Sequence, residues 1–381
     1  MIPNSDLKRT RERLFILVFA LVLTACSPAE VTPEVSRTEA AAAAPTATIE
    51  ALPTAAPGDR EDEETPDSEL TANQIATLDT LRKVDDYPLY VMNYVGALEL
   101  VEVEQEDLLV QPASAAAEDS WACSLFAAFG DSESMLYGRN FDWRFSPALL
   151  LYMDPPDGYA SVSMVDIEYL GFQDVQSNEV DNLPLDELAA LLNAPLIPFD
   201  GMNETGLVVG MAAVPPGEME PDAGKESIGS LGVIRQVLDN AASTDEAVDI
   251  MQGYNIDMGE GPPLHYLVAD ASGDGALVEF YQGEMRVLHN EVPYHLATNF
   301  IRSSQGESPE GACWRYDAID ERLTESEGRL SRSEAMELLE SVSQPNTQWS
   351  IVYGMMDQDV LIAMGRDYDN LYAFNSYGNA K

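Results

Sequence analysis

Histidine and cysteine are scarce, with three of each in 381 residues. His265, His289 and His295 do not fall at metal-ligand spacing and no Cys-x-x-Cys occurs, so a zinc or iron site is not expected, and no other cofactor is. Positive charge is equally thin. Twenty Lys+Arg stand against 66 Asp+Glu for a formal net charge of −46, a field that repels nucleic acid and anionic lipid and favours solubility outside the cell. The acidity itself does not identify a substrate, because most of those carboxylates are ordinary solvated surface. No internal repeat is visible. Apolar content is not lacking: 45% of the residues are hydrophobic, enough for at least one sizeable core.

The first 26 residues read as an export signal. Lys8, Arg9, Arg11 and Arg13 precede the apolar run "LFILVFALVL", and "LTAC" ends it at Cys26. This is the Leu-x-Ala-Cys form of a bacterial lipobox, and the run is too short to cross a membrane. "RTRER" lacks adjacent arginines, so a twin-arginine route is not read. Cys26 is then the lipidated first residue of an exported protein, anchored on the outer side of the cytoplasmic membrane or, depending on the envelope, in the periplasm or outer membrane. An ordinary cleaved signal with a chance cysteine is the alternative. With Cys26 given to lipid, Cys123 and Cys313 are the pair left for a disulfide, which an exported protein can form.

Residues 27–70 are Ala, Pro, Thr and acid, as in "PTATIEALPTAAPGDREDEETPDSE", with no helical or strand period. This composition cannot bury enough apolar surface to fold and reads as a disordered tether. Order begins near Thr71. "TANQIATLDTLRKV" carries Ile75, Leu78 and Leu81 at helical spacing, and "YPLYVMNYVGALELVEV" is extended. Residues 71–122, closed by the polar stretch "EDLLVQPASAAAEDS", suit a pro-segment with a cleavable connection.

From Cys123 to the C-terminus strands are dense. "CSLFAAFG" and "MLYGRNFDW" flank the turn "DSES", and "ALLLYM" and "ASVSMVDIEYL" follow, then a short helix "LDELAALLN". "LVVGMAAV" is a strand entered from the turn "DGMNETG". "IGSLGVIRQVLDNA" and "STDEAVDIMQGY" are helices, the second opened by a Ser243–Glu246 capping box. "LHYLVADASGDGALVEF" is a hairpin, and "RVLH" and "HLATNF" add strands. "CWRYDAIDERL" and "SRSEAMELLESV" are helices, and "WSIVYGMMDQDVLIAMGR" with "LYAFNS" closes as antiparallel strands. Paired helices between runs of antiparallel strands imply an α+β sandwich, two sheets face to face with helices outside.

A lone cysteine such as Cys123 is commonly a buried structural thiol. Arg139 and Asp142 alter that reading. They lie 16 and 19 positions beyond Cys123, the separation at which a hairpin brings the start of one strand to the end of the next. Burying two charges in a sheet costs several kcal/mol unless they are paired. If Cys123 is the first residue of a processed chain, its α-amine, with an ordinary pKa of about 7.7–8.0, can take the thiol proton without a histidine. A neighbouring guanidinium favours thiolate and neutral amine, and a carboxylate can orient the amine. Acyl transfer also needs donors for an oxyanion. Asn203 at a turn and Asn299 at a strand end are candidates, although an asparagine taken singly is more commonly a turn or cap residue. Arg315 in "CWRYDAI" suits a site or a helix-surface ion pair.

"CSLFAAFG…LYGRNFDW", "DGMNETGLVVGMAAV", "HYLVADASGDGALVEF", "LATNF" and "WRYDAI", in this order, resemble the choloylglycine hydrolase family of linear amide C-N hydrolases. Its relatives include bile salt hydrolases, penicillin V acylases, N-acylethanolamine acid amidase and acid ceramidase. The resemblance covers most of residues 123–381 and implies an N-terminal-nucleophile hydrolase with a four-layer αββα fold. It implies cleavage between Ala122 and Cys123, Cys123 as nucleophile with its freed amine as base, and Arg139 and Asp142 tuning that pair. It further implies an oxyanion hole from the Asn203 backbone N–H and the Asn299 side chain, steadied by Arg315. The substrate would be a small N-acyl amide. The ordered-looking segment before Cys123 resembles the ceramidase and acylethanolamine branch, in which the leading piece stays bound as a subunit. Residues Pro155 to Pro198 do not align, leaving the acyl group open. An acyltransferase of the isopenicillin-N type and a non-catalytic binding lipoprotein are the other readings.

Overall fold

Short runs rich in β-branched and aromatic residues, cut by Gly, Asp and Pro, make strands the dominant element. The computed structural model describes residues 70–101, 122–172, 180–217, 220–259, 261–306 and 308–375. The expected signal with Cys26, the linker as far as residue 69, and residues 102–121 of the leading segment lie outside the described residues. In chain order, α1 (Ala72–Leu78), β1 (Arg82–Asp85) and β2 (Leu89–Asn93) precede Cys123. Then come β3 (Ser124–Ala128), β4 (Leu136–Asp142), β5 (Ala148–Met153), β6 (Ser161–Asp166), α2 (Leu185–Leu188), β7 (Asp200–Asn203), β8 (Val208–Ala213) and β9 (Glu226–Gly229). Helices α3 (Gly232–Asn240) and α4 (Thr244–Gln252) lead to β10 (Tyr254–Asp257), β11 (Leu264–Ala269), β12 (Gly275–Tyr281), β13 (Glu284–His289) and β14 (Tyr294–Ala297). Last are α5 (Trp314–Ser326), α6 (Arg332–Ser341), β15 (Thr347–Gly354), β16 (Val360–Met364) and β17 (Tyr372–Phe374).

Two large sheets form. One has nine strands in the order β1-β2-β5-β6-β7-β8-β11-β12-β13, the other six in the order β14-β3-β4-β15-β16-β17. Their pairs are antiparallel except β2 on β5. The sheets meet face to face, with the Tyr137 hydroxyl of β4 donating to the Leu267 carbonyl of β11. Helices α3 and α4 cover the outer face of the larger sheet, and α5 and α6 that of the smaller. One apolar core fills the space between the sheets and runs out under α3 and α4, and a second lies under α5 and α6. The result is the four-layer αββα sandwich expected of the sequence.

The leading segment is part of this architecture. β2 lies between β1 and β5 with Leu89, Tyr90, Val91 and Met92 no more than 1% exposed. Local readings needed correction at three places. The helix expected over residues 71–84 ends at Leu78, because Thr80 turns its hydroxyl back onto the Thr77 carbonyl and so competes with the next helical bond. Arg82–Asp85 then pairs with β2. The helix from Leu185 tightens at once into a 3₁₀ run, Ala189–Leu196, that contains Pro195, whose missing N–H does not support an α-helix. The stretch Glu226–Gly229 forms a small parallel ribbon with β10, and α3 begins only after it.

Candidate active site

The β3–β4 hairpin fixes the centre of the site. Its register sets Ser124 opposite Asn140 and Leu125 opposite Arg139, so continuing it by one residue brings Cys123 beside Phe141. Side chains alternate across a sheet. Arg139 and Asp142, three residues apart, therefore point to opposite faces of the same strand and meet different partners.

Arg139 points inward, between the sheets. It is fully buried, ion-paired with Asp200 at the start of β7, and donates to the Phe199 carbonyl at 2.6 Å. The Tyr353 hydroxyl donates to the other oxygen of Asp200. Burial works against the guanidinium charge, but Asp200 and Cys123 favour it, and the balance holds Arg139 above its ordinary pKa.

Asp142 points outward, under α5. Thr347 of β15 donates to its Oδ1. Its Oδ2 has no hydrogen bond, and Nη1 of Arg315 stands 3.8 Å away. Burial raises the Asp142 carboxyl to about 7 against the pull of Arg315, Thr347 and Arg139.

The Cys123 thiol sits where these two systems adjoin. The Arg139 guanidinium and the Asp142 backbone N–H both lie close enough to its sulfur to favour the thiolate. It is 4% exposed, and burial, outweighing Arg139, pushes its pKa up. Within the intact chain the sulfur is thus a thiol in need of a base. It is also a free cysteine, so the Cys123–Cys313 disulfide that composition allowed is not formed.

Arg315 ties the remaining groups to this centre. It lies in the first turn of α5, wholly buried. Its Nη1 donates to the Cys123 carbonyl and, at 2.9 Å, to the Ser124 hydroxyl. Its Nη2 donates to Oδ1 of Asn299 at 2.9 Å. The Asn299 amide nitrogen in turn donates to the Ala213 carbonyl at 2.7 Å. Cys123, Arg139, Asp142, Asn299 and Arg315 are in this way brought together.

Asn203 is not among them, which corrects the sequence reading. Its backbone N–H closes the β7–β8 hairpin on the Leu207 carbonyl at 3.0 Å. Its side-chain amide donates to the Leu238 and Ala241 carbonyls at the C-terminal end of α3. The hairpin tip is at the opposite end of the sandwich. Gly206, held at φ +84°, has room only for hydrogen beside the Met355 carbonyl, just past the end of β15 remote from Thr347. The β8 residue that reaches the site is Ala213, at the other end of the strand.

Asp200, Tyr353, Thr347 and Ala213 were not singled out from the sequence. Asp200 left a trace, an acid between Phe199 and Gly201 in an apolar run, which needs a buried cation as much as Arg139 needs an anion. Among the described residues no group of three or more His, Cys, Asp or Glu is placed to hold a metal ion.

Residues 123–300 match the family model described as linear amide C-N hydrolases, choloylglycine hydrolase family. An uncharacterized protein of Archaeoglobus fulgidus is 24% identical over 296 residues, covering 68% of this chain and 43% of that protein. The penicillin V acylase of Pectobacterium atrosepticum is 32% identical over 111 residues, 26% of this chain and 29% of the acylase. The chain thus spans less than half the length of these curated relatives. Among solved structures, the penicillin V acylase of Agrobacterium tumefaciens superposes with a TM-score of 0.45 at 15% identity, covering 66% of this chain and 91% of the other.

Proposed function

We propose that this chain, which through residues 123–300 belongs to the choloylglycine hydrolase family of linear amide C-N hydrolases, cleaves the carbon–nitrogen bond of an N-acyl amide with Cys123 as nucleophile. The observation that carries the reading is the environment of one sulfur. Cys123 is free and buried between the Arg139 guanidinium and the Asp142 backbone N–H, while the adjoining carboxylate keeps one oxygen without a hydrogen bond. A buried carboxylate oxygen that accepts no hydrogen bond is costly. An α-amine freed at Cys123 by cleavage after Ala122 would supply the missing donor.

In this reading the α-amine takes the thiol proton and the thiolate attacks the amide carbonyl. The proton passes to the leaving amine as the C–N bond breaks and a thioester forms. Water, activated by the same amine, then hydrolyses the thioester. The Asn299 side-chain amide is one oxyanion donor. The second, in place of Asn203, is the backbone N–H of Ala213. Ala213 lies beyond the last β7–β8 rung, Asp200 opposite Gly210. The next residue, Val214, donates to Pro263 on the β11 side, so the alternation of the strand turns the Ala213 N–H the other way, beside Asn299. Arg315 holds Asn299 and the Cys123 carbonyl in register.

Residues 71–122 act as a pro-segment that stays bound as a small subunit after cleavage. Support comes from β2. Releasing it would expose Leu89, Val91 and Met92, each worth about 1.5–3 kcal/mol when buried, and would break a five-rung pairing with β5. Export by the leader and anchoring through lipidated Cys26 place the hydrolase outside the cytoplasm, where it meets small acylated amides.

Mass spectrometry of the purified protein is expected to find a chain beginning at Cys123, with the leading piece co-purifying, and Cys123→Ala is expected to remain uncut. A panel of conjugated bile salts, penicillin V, acyl-homoserine lactones and long-chain acylethanolamides should contain an amide that the processed protein hydrolyses. Full activity with Ala122 still attached would refute the mechanism.

A further inference from the structure

His265 and Glu279 form a buried imidazole–carboxylate pair that none of the steps above uses. The β11–β12 rung Tyr266 opposite Val278, continued by one residue, sets His265 across from Glu279. On its other side His265 opposes Ala212 of β8, the neighbour of the Ala213 whose carbonyl holds Asn299. Nδ1 of His265 is 3.3 Å from Oε1 of Glu279, and the two side chains are 1% and 0% exposed. His265 Nε2 has no hydrogen-bond partner.

What Glu279 organises is the chain leaving Asn299. Its Oε1 accepts the Arg302 backbone N–H at 2.6 Å. Its Oε2 accepts the Ser303 backbone N–H at 2.8 Å and the Ser303 hydroxyl at 2.7 Å. Burial opposes its charge, but the bonds from His265 and Ser303 prevail and hold the carboxyl below its ordinary range. Arg302 opens a 3₁₀ turn only three residues after Asn299. A buried ionised carboxylate is not retained for stability alone, since an apolar replacement is often as stable. Here all its bonds outside the sheet go to two consecutive residues, two of them to backbone N–H groups.

We propose that Glu279, oriented by His265, is a positioning residue that clamps the backbone at Arg302 and Ser303 and so fixes Asn299 against Ala213 and Arg315. This rests on Asn299 being an oxyanion donor, as argued above.

The test is Glu279→Gln and Asn299→Ala, alone and combined, with hydrogen exchange followed over residues 298–304. Glu279→Gln is expected to lower kcat about tenfold with little change in KM, and to add no further loss on the Asn299→Ala background. Losses that multiply, as for independent sites, or an unchanged kcat would overturn the proposal. His265→Asn, whose amide can replace the Nδ1 donor, should keep kcat within about twofold of wild type, while His265→Phe should lose about as much as Glu279→Gln. Equal losses in the two would remove His265 from the role. If Glu279→Gln does not fold, Ser303→Ala applies the same test with a smaller loss. Should the unmodified protein hydrolyse no amide, the functional reading fails by itself and exchange decides the clamp. Faster exchange at 298–304 in Glu279→Gln supports it, and an unchanged rate overturns it.

Discussion

The two ends of the sandwich treat the same side chains in opposite ways. At the hairpin end, Asn203 spends its capacity on structure, giving its amide to two carbonyls and accepting from Thr205 and Leu207. Asp270, in the tight turn after β11, accepts from the Ser272 N–H and hydroxyl and the Thr244 N–H. Those bonds overcome its partial burial and lower its pKa. At the Cys123 end, Asp142 is more deeply buried, keeps an oxygen without a hydrogen bond and is raised to about 7. Asn299 is suspended between a carbonyl and a guanidinium. Buried polar groups that are saturated hold a fold together, whereas one left short of partners is destabilising unless a further group completes it. The unsaturated end is where chemistry belongs.

The largest consequence is in stability against pH, measured on the uncut Cys123→Ala chain. The folded pKa of Asp142, about 7, lies above its ordinary 3.8. The folded state therefore holds the proton more tightly, and this contribution is fully present below pH 4 and lost as pH rises through 7. The loss amounts to roughly 4 kcal/mol for this shift. Asp270 has the opposite sign, its contribution being present above pH 4 and lost as pH falls. Denaturant titrations at pH 4 and pH 8 should show Asp142→Asn flattening the decline, and Asp270→Asn should leave it in place. An equal slope in Asp142→Asn and its parent would break the contrast between the ends. In the processed enzyme the Cys123 amine, once charged beside Asp142, should itself flatten that slope.

Next in size is the comparison of the two asparagines. Asn299→Ala is expected to lower kcat by ~10²–10³, the loss typical of one oxyanion donor, while the protein is still processed at Cys123. Asn203→Ala should lower the unfolding free energy by about 2–4 kcal/mol, because the Leu238 and Ala241 carbonyls lose their donor in a buried place. The kcat of its folded fraction should be retained. Steady-state kinetics beside denaturant midpoints separates the two, and a kcat loss in Asn203→Ala equal to that in Asn299→Ala would restore Asn203 to the site.

That same pair shows how far the sequence could be read. Cys123, Arg139 and Asp142 were legible because hairpin pairing is arithmetic, and charges in an apolar strand need a reason to be there. The strand and helix alternation likewise disclosed the sandwich. Asn203 was misplaced because a Gly-Met-Asn-Glu turn announces a hairpin without saying which end of the sheet it occupies. Asp200 pairs with Arg139 across the gap between the sheets from 61 residues away, and Tyr353, on the strand beside Arg139's own, reaches Asp200 from 153 residues away, relations no local period records. Ala213 contributes only backbone, and backbone has no sequence signature. The ribbon of β9 and β10 escaped notice because β9 is mostly exposed and so lacks the alternation that marks a half-buried strand.

The smallest difference is the most discriminating, because it equalises the stability terms. Thr347 donates to Asp142, and Ser272 donates to Asp270 at 2.6 Å. Each is a hydroxyl on a carboxylate, a bond worth about 1.5–3 kcal/mol. Thr347→Val and Ser272→Ala should therefore shift the denaturant midpoint by similar amounts. Only Thr347→Val should change kcat, by several-fold, because it alone unfastens the carboxylate that is to receive the Cys123 amine. It should also move the pH profile of kcat/KM upward, since losing that hydrogen bond removes one of the influences holding Asp142 down. A parallel change in Ser272→Ala would mean that the two ends are coupled through β15 and the hairpin tips, and that saturation alone does not mark the site.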